Sequence, residues 1–89
     1  MPHRLAAGTV PVPTAGGVRF VLFDEQRGPE VYEVDTRVLR ERYGAPDTRS
    51  DHLLQAYLSG QHEIHEIATA VPGGQGGGVT RLGPELFPH

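Results

Sequence analysis

The chain has 89 residues, no cysteine, 11 acidic and 8 basic side chains, and a formal net charge of −3 at neutral pH. These totals predict one small domain that folds by apolar packing without disulfides, and they argue against general nucleic-acid affinity. No apolar run reaches transmembrane length, and the first residues lack the apolar stretch of a secretory signal, so we expect a cytoplasmic protein with no membrane partner.

The first 17 residues are rich in proline and glycine and have no sustained alternation of apolar and polar side chains. They predict a flexible arm, residues 1–17, in front of one α+β domain, residues 18–89. The alternative for residues 9–13 is an irregular edge strand, because proline is tolerated at the edge of a sheet.

Two strands and a short helix are predicted next. Residues 18–23 are β-branched and aromatic on both faces, which indicates a central strand or one that is covered on its second face. Residues 30–34 alternate, and the short connection between the two runs predicts a hairpin. Asp35 or Thr36 is expected to cap a helix over residues 37–43 that ends at Gly44.

The longest helical pattern runs from residue 50 to residue 71. One side of this predicted amphipathic helix carries Leu53, Tyr57, Gly60, Ile64, Ile67, Ala68 and Val71. Residues 78–82 predict a third strand after a glycine-rich loop. The element order β-β-α-α-β therefore predicts an α+β fold, in which a three-stranded antiparallel sheet carries the short and the long helix on one face.

Six stretches follow one another in this order: Val18-Arg19-Phe20, Val34-Asp35-Thr36-Arg37-Val38-Leu39, Tyr43-Gly44-Ala45, Leu54-Gln55-Ala56-Tyr57, Ile64 with Ile67-Ala68, and Val79-Thr80. In this order they resemble the domain of unknown function 1488 family of small bacterial proteins. The resemblance covers about residues 18–82. It implies an α+β fold in bacteria or their phages, and it implies no known activity.

Histidines on the long helix are the first candidates for chemistry. His62, His65 and Glu66 lie close in sequence, but the zincin pattern needs histidines at i and i+4, whereas these are at i and i+3. We therefore favour a solvated helix face over a metal site or a pH-sensitive contact, and we predict no metal. The glycine-rich loop lacks a following Gly-Lys-Ser or Gly-Lys-Thr, and no nucleophile has an identifiable base, so neither a cofactor nor catalytic residues are predicted.

A basic patch is the second candidate. It comprises Arg37, Arg40, Arg42 and Arg49. Such side chains could contact phosphate, although interleaved acids favour a solvated face with ion pairs.

A second apolar edge on the long helix is the third candidate. Leu54 and Leu58 lie outside the main apolar side, and Gln61 and His65 continue the same line. The short helix could cover these leucines, or they could contact a protein partner or a second copy of the chain. We predict a bacterial or phage protein-binding regulatory or adaptor module without catalytic activity. The alternative is a weak nucleic-acid-binding regulator that uses the basic patch.

Overall fold

The computed structural model describes residues 4–5, 10–24, 28–71 and 78–87. The strands are β1 (Arg4–Leu5), β2 (Val12–Thr14), β3 (Gly17–Asp24), β4 (Gly28–Asp35) and β5 (Val79–Leu82), and the helices are α1 (Thr36–Glu41), α2 (Ser50–Ser59) and α3 (Gln61–Ala70). A 3₁₀ turn, Pro84–Leu86, follows β5. None of the described helices is long and apolar enough to span a membrane.

The strands form one mixed sheet that is four strands wide. The predicted hairpin is the antiparallel pair of β3 and β4, and β5 lies on the outer side of β4 in parallel orientation. Both β1 and β2 run antiparallel to β3, one after the other along its remaining edge. The predicted three-stranded antiparallel sheet is therefore wrong. The parallel pair is possible because all three helices lie between β4 and β5 and supply the long crossover that parallel strands need.

The first strands lie within the segment that the sequence predicts to be an arm. Val12 pairs with Arg19, and Thr14 pairs with Gly17, so the edge-strand alternative describes this part of the segment. Pro13 is tolerated because β2 is an edge strand, where a missing N–H breaks no inner hydrogen bond of the sheet. Residues 1–3 and 6–9 lie outside the described residues. The division into a flexible arm, 1–17, and a domain, 18–89, stays a prediction.

The first helix is capped by Asp35, as the sequence predicts, but it ends at Glu41, two residues before the predicted end at Tyr43. The Asp35 carboxylate accepts a hydrogen bond from the backbone N–H of Arg37 at 2.7 Å, which satisfies one of the free donors of the first turn. Gly44 follows the helix with a φ of +79°, a left-handed conformation that glycine adopts without strain.

The predicted long helix is interrupted at Gly60, so the described residues form three α-helices where two are predicted. Gly60 has φ −105° and ψ 13°, and a Cβ at this position would overlap the ring of Tyr43. The ring therefore occupies the place of a side chain, and the two helix segments meet around it. The helical phase is preserved across the break, because Leu53, Tyr57, Ile64 and Ala68 are all buried.

The core lies between the three helices and one face of the sheet. Its sheet side is formed by Val18, Phe20, Leu22, Tyr32, Val34 and Leu82, and its helix side by Val38, Leu39, Leu53, Ala56, Tyr57, Ile64 and Ala68, with Phe87 after the 3₁₀ turn. The placement of the helices on a single face agrees with the α+β prediction. In the part of the chain that the structure describes, no helix covers the second face of the sheet.

Candidate functional site

The predicted row Leu54, Leu58, Gln61 and His65 spans α2 and α3. Leu58 is 49% exposed, whereas Leu54 is partly buried and packs against the core. Gln61 and His65 are half-buried. The four residues do not form one continuous exposed surface.

The side chain of His65 packs against Tyr57 and is not part of an exposed row. The Tyr57 hydroxyl and Nε2 of His65 are hydrogen-bonded at 2.6 Å, and the imidazole lies 5.2 Å from the ring centroid of Phe20. Burial lowers the pKa of His65, and the neighbouring His62 lowers it further. Burial also raises the pKa of Tyr57, so the phenol stays neutral. This neutral pair belongs to the packing of α2 and α3 on the sheet.

The predicted basic patch is divided into two pairs of arginines. Arg42 donates two hydrogen bonds to Glu63, at 2.8 and 2.6 Å, and Arg49 forms an ion pair with Asp51 at 3.3 Å. The remaining two, Arg37 and Arg40, are exposed and line an open depression of about 220 Å³ together with Glu41 and Ala45. The two pairs differ in how much of their charge is available to a ligand.

Glu63 joins the end of α1 to α3. The Tyr43 hydroxyl donates to Glu63 at 2.5 Å, beside the two bonds from Arg42. These hydrogen bonds, that from Arg42 first, lower the pKa of Glu63 to about 2. Burial and the Glu63 carboxylate raise the pKa of Tyr43 to about 12. The arrangement holds the Tyr43 ring in place beside Gly60.

The histidines predicted as a possible metal site point apart. His62 forms an exposed i, i+4 pair with Glu66 at 3.3 Å, while His65 faces Tyr57. His52 pairs with Asp47 at 2.8 Å. Among the residues that the structure describes, no three side chains of metal-ligating type come together. His3 and His89 lie outside the described residues.

A further surface, which the sequence does not predict, lies on the sheet. We call the face opposite the helices the open face. Cross-strand pairing places Val21, Val31 and Val79 in one row across β3, β4 and β5, and we call them the valine row. Phe23 lies beside this row on β3 and is 41% exposed, as is Val79. The valine row and Phe23 form an apolar surface that reaches solvent.

The other half of the open face is charged and internally paired. Arg19, Glu33 and Arg81 lie in one cross-strand row, next to the valine row. Glu33 is only 6% exposed, because Arg81 and Arg19 donate to its carboxylate and the Thr14 hydroxyl donates to it at 2.6 Å. Arg81 also bonds Asp35 at 3.0 Å. Burial opposes ionisation of Asp35, but its hydrogen bonds from the Arg37 backbone and Arg81 outweigh burial and lower its pKa.

The sequence contains a partial signal for this surface. The run 18–23 is apolar on both faces, and we expect such a strand to be central or covered on its second face. The structure places it centrally, with partners on both edges and no described helix over its second face. The valine row itself could not be found from the sequence, because it depends on the register of β5 across a long connection.

Comparisons with known proteins give no further assignment. No protein-family model, curated protein or solved structure matches this chain. The resemblance to the domain of unknown function 1488 family therefore stays a prediction.

Proposed function

We propose that this protein is a small bacterial or phage protein-binding module, regulatory or adaptor in role and without catalytic activity, and that it binds through the open face. The observation that carries the proposal is the apolar half of this face. Phe23 and Val79 are each 41% exposed and flank Val21 and Val31, which are half-buried. Contiguous apolar surface on a small domain is typical of an interaction site.

The layout of the open face resembles that of a protein interface. An apolar centre lies beside a polar margin whose charges are already paired, as in many interfaces where the centre is depleted of charge and the rim is hydrated. Glu33 with its arginine and threonine partners forms this margin. A partner can therefore cover the apolar half without stripping water from an unpaired charge.

The alternative, weak nucleic-acid binding by the basic patch, has less support. Two of its four arginines are held in ion pairs with Glu63 and Asp51, and the chain as a whole carries a net charge of −3. Arg37 and Arg40 remain for phosphate contacts. A DNA complex held by so few contacts would be weak and would have a shallow salt dependence.

Site-specific photo-crosslinking in the native host tests the proposal. A photoreactive amino acid replaces Phe23 on the open face in one strain and Leu58 on α2 in a matched strain, because the two side chains have similar exposure. We expect protein adducts from position 23 and not from position 58. Adducts only from position 58, or DNA retention that is lost on Arg37→Ala with Arg40→Ala, would contradict the proposal.

A further inference from the structure

We propose that the occupant of the open face is a second copy of this chain, stacked sheet on sheet. This inference rests on the proposed function, because it names the partner that the open face binds. It follows from the charge, the symmetry and the size of the face.

The charged side chains in the paired half of the open face neutralise one another. Arg19 and Arg81 form ion pairs with Glu33, and Arg81 also pairs with Asp35, so these four charges sum to zero, whereas the whole chain carries −3. The backbone register also places Arg4 opposite Phe23 at the edge of this face. Two copies that approach through the face therefore do not bring an excess of negative charge together.

The pattern of side chains on the face is complementary to itself. A two-fold axis along the valine row sets Val21, Val31 and Val79 against the same residues of the second copy. Phe23 and Arg19 lie on β3 at two residues to either side of Val21, about 7 Å from the axis in opposite directions. The rotation therefore places Phe23 of each copy over Arg19 of the other.

The placement of Phe23 over Arg19 of the other copy gives each aromatic ring a cationic partner. The Arg19 side chain is 48% exposed, so its guanidinium can accept a ring above it while it keeps its contact with Glu33. An arginine over the face of a phenylalanine is a favourable cation–π arrangement. An axis at right angles to the row would instead bring the arginines of the two copies together, so the axis along the row is preferred.

The size of the face predicts a reversible dimer. Strands β3 and β4 have eight residues each, β5 has four, and β1 and β2 have two and three along one edge, so the sheet covers roughly 400 Å² in projection. A stable interface buries about 800 Å² per partner, so an interface formed by this face belongs to the class of small, weak interfaces. We therefore expect a monomer–dimer equilibrium that depends on concentration, with the two sheets about 10 Å apart.

Sedimentation equilibrium over a wide concentration range tests the inference. We expect the unmodified chain to approach dimer mass, and Phe23→Glu and Val79→Glu each to raise the dissociation constant about tenfold or more. Leu58→Glu, of similar exposure on the opposite side of the molecule, is the matched control and should change it less than about twofold. Circular dichroism checks that each variant is folded. A wild-type chain that stays monomeric, or a dimer that only Leu58→Glu dissociates, would overturn the inference.

Cross-linking provides a second measurement that does not depend on a disruptive variant. The chain has no cysteine, so Val79→Cys introduces one thiol on the proposed axis and Leu58→Cys introduces one far from it. A short bis-maleimide should join two copies of the first variant and leave the second monomeric. The opposite result would overturn the inference.

The failures of the two proposals are distinguishable. A monomeric chain whose position 23 still crosslinks to a different protein in the host would overturn the dimer and leave the protein-binding function in place. The absence of both self-association and crosslinks at position 23 would overturn both.

Discussion

Glu33 is the residue around which the hydrogen bonds of the open face are arranged. Its position on the sheet places it on the solvent side of β4, yet its carboxylate is enclosed by Arg81, Arg19 and Thr14. The alternation of apolar and polar residues predicts which face Glu33 occupies. It cannot predict the burial, because the residues that cover Glu33 come from three other strands.

Removing the charge of Glu33 should destabilise the fold. Glu33→Gln leaves Arg19 without its counter-charge and Arg81 with Asp35 alone, although both arginines are half-exposed and can regain water. We expect a loss of about 1–3 kcal/mol in the free energy of unfolding, measured with urea. Glu66→Gln, in an exposed pair with His62, is the control and should change it by less than about 0.5 kcal/mol. Equal effects would show that Glu33 is not a structural anchor.

His65 should make the stability depend on pH in a window of its own. Burial lowers its pKa in the folded state below the ordinary value of 6.5, so the unfolded chain binds its proton first. Its stabilising contribution is therefore complete above about pH 6.5 and is lost as the pH falls towards the lowered pKa. Glu63, whose pKa in the folded state is about 2, changes the stability with pH only below about pH 4.5.

Urea unfolding at pH 7 and pH 5.5 tests the role of His65. The unmodified chain should be less stable at pH 5.5, and His65→Gln should reduce this difference because it removes the titrating group. His62→Gln should reduce it only slightly, since the charge of His62 is the smaller cause of the shift. A difference that survives in His65→Gln would assign the effect to another histidine.

At the scale of secondary-structure elements, local signals predict most of the architecture. The hairpin, the cap at Asp35, the left-handed Gly44 after the first helix and the buried side of the helices follow from patterns within a few residues. The break at Gly60 does not follow from the sequence pattern, because a helical wheel treats glycine as a small apolar residue. Its cause is Tyr43, a neighbour 17 positions away in the chain that no local pattern could place.

Gly60 should therefore behave unlike a glycine in an open helix. In an exposed helix, replacing glycine with alanine stabilises by about 1 kcal/mol. Here a methyl group would overlap the Tyr43 ring, which Glu63 holds in place, so Gly60→Ala should destabilise by about 1–3 kcal/mol. The double variant Gly60→Ala with Tyr43→Leu should recover part of this loss. A stabilised single variant would mean that the ring moves aside freely.

The parallel placement of β5 and the strands of the first segment could not be read from local patterns. Whether residues 79–82 pair parallel or antiparallel depends on the position at which the chain returns to the sheet after the three helices. For β2, the prolines obscure the strand pattern and the pairing partner lies on β3. The same limit applies to the candidate site, because the valine row is assembled from three strands.

Deletion of residues 1–16 tests whether this segment is a flexible arm or includes a strand that stabilises the fold. A flexible arm predicts almost no change in stability. In the structure, Thr14 donates to Glu33, and the Gly16 carbonyl accepts from the backbone N–H of Thr36 at 3.2 Å. We therefore expect a loss of about 2 kcal/mol or more in urea unfolding. Val10→Ser, at a highly exposed position, is the control and should cost less than about 0.5 kcal/mol. An unchanged midpoint would favour the arm.

At the scale of the whole molecule, a chain of 89 residues whose described helices all lie on one face of the sheet can bury only a small apolar core. A domain this small buries only about 60–65% of the surface of its unfolded chain. Covering the open face with a second copy would extend the core across the valine row. Association and folding are then linked, because the dimer forms only from folded chains.

This linkage predicts a melting temperature that depends on protein concentration. Each tenfold increase in concentration favours the dimer by about 1.4 kcal/mol, or about 0.7 kcal/mol per chain. For a domain of this size, this corresponds to a rise of about 3–5 °C per tenfold increase once the dimer predominates. Phe23→Glu should melt at a temperature independent of concentration, whereas Leu58→Glu should follow the unmodified chain. A melting temperature that is flat for all three proteins would place the stability of this fold entirely within the single chain.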